Sequence, residues 1–489
     1  MGLGSKFMFT LQRRIIVLVV ITLSLYLLLR RQLSPSEIPI SISEGPLSYS
    51  TPAAHGGESI PEFLTRLHQE APPTLRQPAQ CMGETLNVHE VTEDTERRDV
   101  TPVSDAEILI AREAHHRAVK MIKASPDLVP YIPRTRGIVT VGGGRYTGTV
   151  LVSLRMLRRT NSTLPVEVFM PTPEDYDEHI CKVVLPSLNA KCVALPQYEG
   201  IHIETYQYKI FAVLLSNFED VLFLDADNFP IVDPTEFIDS QPYRKTGYVL
   251  WSDFWWATCS PHYFSVINRP TPKITEYGTT ESGEMFISKS RHWDTILLVL
   301  YYNIFGPSFY YRLFTQCDPG EGDKETWLYA ALALVKPYHQ VREKVVVLGQ
   351  WEKKKGSDES GFIGAGMAQH NPTDDWTLSR GEKTTPLFRI TDKAEVVFVH
   401  HNIIKLSPVE MAKWTDEMRE NYGVRRMWGN KEQTLKVFGR DLESEVWDEL
   451  VYVGCEFGQV LVGWTESVCE KLKTYWGDVV SKEGSKNST

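Results

Sequence analysis

The chain has 489 residues, enough for two or three average domains or for one large α/β domain with a tail; its 42% hydrophobic and 23% charged residues are ordinary globular values. A net charge of −10 excludes a phosphate-tracking surface, which needs clustered lysine and arginine, so nucleic acid is not an expected partner. The acidity is uneven: the first thirty-one residues carry Lys6, Arg13, Arg14, Arg30 and Arg31 and no acidic residue.

Between those basic flanks, Ile15 to Leu29 is uncharged and dominated by Ile, Leu and Val. At 1.5 Å per residue it spans roughly 22 Å, short for a bilayer core of about 30 Å unless the flanking arginines snorkel. A cleaved signal peptide is the competing reading, but Arg30-Arg31-Gln32-Leu33 offers no small-residue cleavage site. The expectation is an uncleaved signal anchor over 15–29, with a cytosolic tail at 1–14 because positive charge is greater on that side. From Ser34 to about Pro78 the composition turns to Pro, Ser, Gly and Glu, too little apolar surface to order itself, so residues 30–103 read as a stem.

The folded region is expected over 104–480 and opens with an amphipathic helix, Asp105 to Lys123, N-capped by Ser104. Strand and helix signals then alternate. Gly137–Val141 reads as a strand, Gly142-Gly143-Gly144-Arg145-Tyr146 as a loop and Val150–Leu157 as part of a helix. Strands follow at Val166–Met170 and Lys191–Leu195, flanking a helix at Asp175–Leu188. A helix at Tyr206–Asn217 leads into the apolar strand Val221–Leu224. This alternation predicts a Rossmann-like α/β fold, a mixed, mostly parallel sheet with helices on both faces and ligands at the carboxyl ends of its strands. The glycine loop is not a Gly-x-Gly-x-x-Gly fingerprint; it is either a nucleotide-approach loop or a flexible tight turn.

The strand Val221–Leu224 runs into Asp225-Ala-Asp227-Asn-Phe-Pro230. Residues two apart on an extended chain share a face, so both carboxylates can aim at one hard cation, which can in turn grip a diphosphate. An acidic turn after a core strand would look the same if it stood alone. It does not stand alone. Gly137-Ile-Val-Thr-Val-Gly-Gly-Gly-Arg-Tyr146, Leu164-Pro-Val-Glu-Val-Phe-Met170, Leu185-Pro-Ser-Leu-Asn-Ala-Lys-Cys192, Tyr208 to Asp220 and Phe223 to Pro230 together resemble the fungal Golgi α-mannosyltransferases that branch and cap mannan. The resemblance continues through Trp251-Ser-Asp-Phe-Trp255, Glu281-Ser-Gly-Glu-Met-Phe-Ile-Ser-Lys289, Gly322-Asp-Lys-Glu-Thr326, Gln369-His-Asn-Pro372 and Val399-His-His-Asn-Ile-Ile-Lys405, covering roughly residues 135 to 410.

The resemblance implies a GT-A fold, GDP-mannose as donor, manganese (Mn2+) as cation, retention of the α configuration and a mannose-containing glycan acceptor on glycoproteins. It also implies a type II Golgi membrane protein with a lumenal catalytic domain, and allows a dimer or a Golgi complex. Asp225 and Asp227 are then metal ligands and His400 the third, with His401 able to exchange roles with it. Lys405, Lys209, Gly143, Arg145 and Ser282 would face the nucleotide sugar. Glu284, Asp323 and Asp253 are the catalytic candidates, Asp253 lying among Trp251, Trp255 and Trp256 in the manner of a sugar platform. His370 is a further candidate for acceptor contact. Ile403, Leu406 and Ser407 depart from the Lys-Pro-Trp region of glycogenin-like enzymes.

The expected product is an α-1,2 link; an α-1,3 link or a UDP-sugar donor are the alternatives, and a tethered lectin with a dead domain is the reading from another class. Seven cysteines in an oxidising lumen allow three bridges: Cys181 with Cys192, Cys455 with Cys469 and Cys259 with Cys317, leaving Cys81. Asn161 and Asn487 begin N-glycosylation acceptors.

Overall fold

The computed structural model describes residues 58–77 and 91–486, apart from residues 93, 199, 202, 319 and 380–392. They belong to one unit, Tyr49–Thr489; the other, Met1–Ser48, lies outside the described residues, and with it the expected anchor at 15–29. Among the described residues no helix is long and apolar enough to cross a membrane.

Part of the expected stem folds into the body. Helix α1 (Ile60–His68) starts in a capping box, Ser59 and Glu62 satisfying each other's backbone N–H, and buries Phe63, Leu64 and Leu67 completely. Those side chains form a stripe on one face of the helix, each contributing about 2 kcal/mol of apolar burial, and this overrides the proline-rich composition around them. Just downstream, the Leu75 N–H donates to Ser308 O at 2.9 Å. Helix α2 (Asp105–Lys123) begins at the predicted cap, Ser104.

The α/β core then follows in order: β1 (Ile132–Val141), α3 (Thr147–Arg159), β2 (Val166–Met170), β3 (Ala190–Ala194), α4 (Tyr208–Leu215) and β4 (Phe218–Leu224). The helix predicted over 175–188 is instead a five-residue π turn, Ile180–Val184, and one α turn, Leu185–Ser187. Pro186 cannot donate into a longer helix, and the disulfide Cys181–Cys192 ties the turn to β3. After β4 come β5 (Asn228–Pro230), β6 (Tyr248–Trp256), β7 (Gly278–Ser288), α5 (Lys289–Ile304), α6 (Lys324–Leu334), β8 (His339–Val341), β9 (Val346–Lys353), β10 (Ser360–His370) and β11 (Val396–His400).

Seven strands form the main sheet in the order β3-β2-β1-β4-β7-β6-β8, with β7 antiparallel to both neighbours and every other pairing parallel. Alternation along β4 sends Leu222 and Leu224 into one hydrophobic cluster and Val221 and Phe223 into the other, so both faces are covered. Helices α2, α4, α5 and α6 cover the Val221 face. Helix α3 covers the Leu222 face, backed by α7 (Pro408–Asn421), α8 (Leu442–Glu456) and α9 (Ser467–Lys486), whose aromatic side chains serve packing: Trp447 stacks on Trp476 with ring centroids 5.3 Å apart.

A second, antiparallel sheet, β5-β11-β10-β9, starts where β4 ends. Its register sets His400 directly opposite Asn228, one residue beyond Asp227. The disulfide Cys455–Cys469 joins α8 to α9. The expected Cys259–Cys317 bridge does not form: Cys259 is a buried free thiol held within the Tyr263 and Phe264 packing, and Cys317 is disulfide-bonded elsewhere. Cys81 lies outside the described residues.

Candidate functional site

The carboxyl end of β4 is the point where the two sheets meet. Strand β7 runs antiparallel beside it, pairing Leu224 with Glu284, and the Asp225 N–H donates to Gly283 O at 2.8 Å. Strand β11 closes the other side, and the His401 N–H donates to Asp227 O at 3.0 Å. Backbone pairing therefore fixes both aspartates before any side chain acts.

His400 Nε2 then lies 3.3 Å from Asp227 Oδ1 and 3.9 Å from Asp225 Oδ2. One ligand atom from each of the three residues can lie within 4.8 Å of the others, and two carboxylates plus one imidazole are a donor set that suits a divalent ion such as manganese. His401 cannot exchange roles with its neighbour: its Nε2 accepts from Trp428 Nε1 at 2.9 Å and its Nδ1 faces Ile404 O at 3.1 Å. Two lysines complete the surroundings. Lys405 donates to Asp227 Oδ2. Lys209 lies 3.2 Å from Asp225 and 3.4 Å from Asp323, and donates to Ser282 O and Oγ at 2.8 and 2.9 Å.

These contacts set the protonation pattern. Burial disfavours charge on His400, but Glu281 and Asp227 outweigh it and hold its pKa well above the ordinary histidine value. Burial likewise opposes ionisation of Asp227, yet His400 and Lys405 keep it well below the usual carboxylate range. Glu284 is the opposite case. Burial, reinforced by Glu281, pushes it well above that range; Asn228 Nδ2 donates to its Oε2, while Oε1 has no hydrogen-bond partner. A buried carboxyl of this kind is kept as the acid.

The remaining candidates divide. Gly143 has φ +91°, and a Cβ there would lie 2.6 Å from Met170 Sδ, so the glycine loop is a tight turn by necessity. It exposes Arg145, whose guanidinium lies over the Tyr146 ring, and Tyr146 in turn is near Lys405. Asp323 adds a hydrogen bond from Trp327 Nε1 at 3.1 Å to its Lys209 contact. Asp253 is ion-paired with Lys324 at 2.7 Å, and Trp251 is a core side chain packed on Phe286 and Phe398, so no platform of three tryptophans surrounds the acid. His370 is structural: its ring nitrogens face Ala394 O and Lys344 O, both at 2.9 Å, which removes it from the acceptor candidates.

Sequence reasoning assigned no role to Glu281, whose Oε1 stands 3.2 Å from His400 Nδ1, nor to Asn228. Strand parity puts residues 281 and 284 on opposite faces. Against β6, however, β7 spends five residue steps, Phe286 to Glu281, where β6 spends two, Val249 to Trp251, and this irregularity brings both glutamates to His400.

Edge, paired carboxylates and flanking lysines define the class: an α/β domain with a cation-suited acidic site at the carboxyl edge of its sheet. Residues 135–278 and 275–371 match the family described as "Mannosyltransferase putative". It is 33% identical to the α-1,2-mannosyltransferase MNN22 of Candida albicans over 65% of this chain and 62% of the relative, and 32% identical to MNN21 of that yeast over 72% and 62%. With the α-1,2-mannosyltransferase MNN2 of Saccharomyces cerevisiae it shares 32% over 57% of this chain and 58% of the relative, so the matches span about three fifths of these curated relatives.

Proposed function

We propose that the protein is a metal-dependent GT-A enzyme that transfers mannose from GDP-mannose, with retention, onto a mannoside acceptor of a glycoprotein glycan in α-1,2 linkage. The observation that carries this reading is the Asp225, Asp227 and His400 constellation, set between Lys209 and Lys405 in a chain that matches the mannosyltransferase family over residues 135–371. The α-1,2 activity of the relatives supports the linkage. A lectin has no need of this cation site, which weighs against a binding-only role.

A Mn2+ ion held by Asp225, Asp227 and His400 would neutralise the charge that develops on the diphosphate as the glycosidic bond breaks. This chain's own residues do the rest. Lys405 and Arg145 attract the diphosphate. Lys209 fixes Asp225 and the Ser282 backbone in one position, so the cradle is built before substrate arrives. Glu284 and Asp323 are, in this reading, the carboxyls that would face the donor sugar and the acceptor.

For location we propose a type II Golgi enzyme anchored through residues 15–29. Two disulfides within the folded unit and an exposed Asn161 acceptor support a lumenal domain. The test of the activity is transfer by the full chain to a mannobiose acceptor, with GDP-mannose or UDP-sugars, with and without Mn2+. Mn2+-dependent use of GDP-mannose, with an α-1,2 product by NMR, is expected; use of a UDP-sugar alone, or turnover indifferent to metal, overturns it.

A further inference from the structure

The geometry points to Glu281 as a positioning residue that orients His400 for the cation through its Nδ1, an assignment that rests on the cation-binding reading of Asp225, Asp227 and His400. His400 is the one ligand of the three that meets a carboxylate on each side of its ring. Nε2 faces the aspartates, and on the opposite side of the ring Nδ1, which is buried and makes no hydrogen bond, lies at ion-pair distance, 3.2 Å, from Glu281 Oε1. An imidazole that binds a metal through one nitrogen needs its other N–H directed at an acceptor, which fixes both tautomer and ring plane and raises the basicity of the ligating nitrogen.

Glu281 is built for that task. It is 7% exposed, and the Gly283 N–H donates to its Oε1 at 2.6 Å, so the carboxylate cannot swing away. The stretch of β7 from Glu281 to Gly283 also admits the ring: a Cβ on Gly283 would stand 2.5 Å from His400 Nδ1 and 2.8 Å from Glu281 Oε1. The third carboxyl nearby, Glu284, takes Asn228 as its partner, which leaves Glu281 as the anion for His400. Glu281 has no direct contact with either aspartate, so its main route to the cation is through His400, with a lesser electrostatic one through Lys209.

The experiment titrates Mn2+ into the full-length protein by electron paramagnetic resonance and reads the nitrogen coupling of the bound ion, for wild type, Glu281→Ala, Glu281→Gln, His400→Ala and the double variant Glu281→Ala with His400→Ala. Expected are Mn2+ affinity weaker by about 10- to 100-fold in Glu281→Ala, a smaller loss in the isosteric Glu281→Gln, and reduced nitrogen coupling in both. In the His400→Ala background, removal of Glu281 should cost little further. Unchanged affinity in both Glu281 variants, or losses that simply add in the double variant, overturn the assignment while leaving the cation site standing. Absence of Mn2+ binding by wild type overturns the cation reading itself, and Glu281 with it. If Glu281→Ala fails to fold, Glu281→Gln, which keeps the acceptor for Gly283, decides the matter.

Discussion

The imidazole of His400 stands 3.3 Å from the carboxylate of Asp227, although one ends β11 and the other follows β4. Strand pairing through Asn228 makes them neighbours. Replacing Asp227 with Ala should lower mannosyl transfer by at least about 100-fold, because two of the cation's ligands cannot hold it, while circular dichroism shows an intact fold. Retained Mn2+-dependent turnover would sink the metal assignment.

A Cβ on Gly283 meets the His400 ring at 2.5 Å, so Gly283→Ala must push the ring or strand β7 aside. The expected stability cost is about 1–3 kcal/mol, with a larger proportional loss in Mn2+ affinity than in unfolding free energy. Denaturant unfolding compared with metal titration checks the split.

Lys324 and Asp253 form a mostly buried pair. Lys324→Ala strands the carboxylate and should destabilise the protein by about 3–5 kcal/mol; removing Asp253 as well should restore part of that loss. Urea denaturation of the two variants decides whether the pair is structural in this sense.

Burial, with a smaller contribution from His116, holds the His115 pKa near 4 against an ordinary 6.5. Above pH 6.5 the neutral side chain costs nothing. As pH falls from 6.5 towards 4 the unfolded chain takes up a proton that the folded chain refuses, so stability is lost over that window, by about 3 kcal/mol at its lower end. His115→Phe removes this dependence. Its stability relative to wild type should therefore improve by roughly that amount between the two pH values, as read by chemical denaturation at each.

Asn161 is exposed in the turn after α3, at φ +64°. A glycan removable by endoglycosidase and absent in Asn161→Gln is expected if the domain is lumenal. An unmodified Asn161 in the native host would count against that orientation.

The sequence by itself determined the alternation of strands and helices, the apolar run into Asp225 and Asp227, the cap at Ser104 and two local disulfides. Each of these is a contact between residues close in the chain, or a periodicity. The packing of α1 shows where composition misleads: the prolines around Ile60–His68 read as stem, but three apolar side chains on one face found a core. Tertiary structure removed the exchange of His400 with His401, since Trp428 claims the second imidazole, and it moved His370 and Trp251 to packing roles. It also recruited Glu281, because a register irregularity between β6 and β7 overturns the two-residue parity on which any reading of a strand depends. Which side chains meet at this site is set by pairing between distant strands, and the residues that do the pairing carry no mark of it in the sequence.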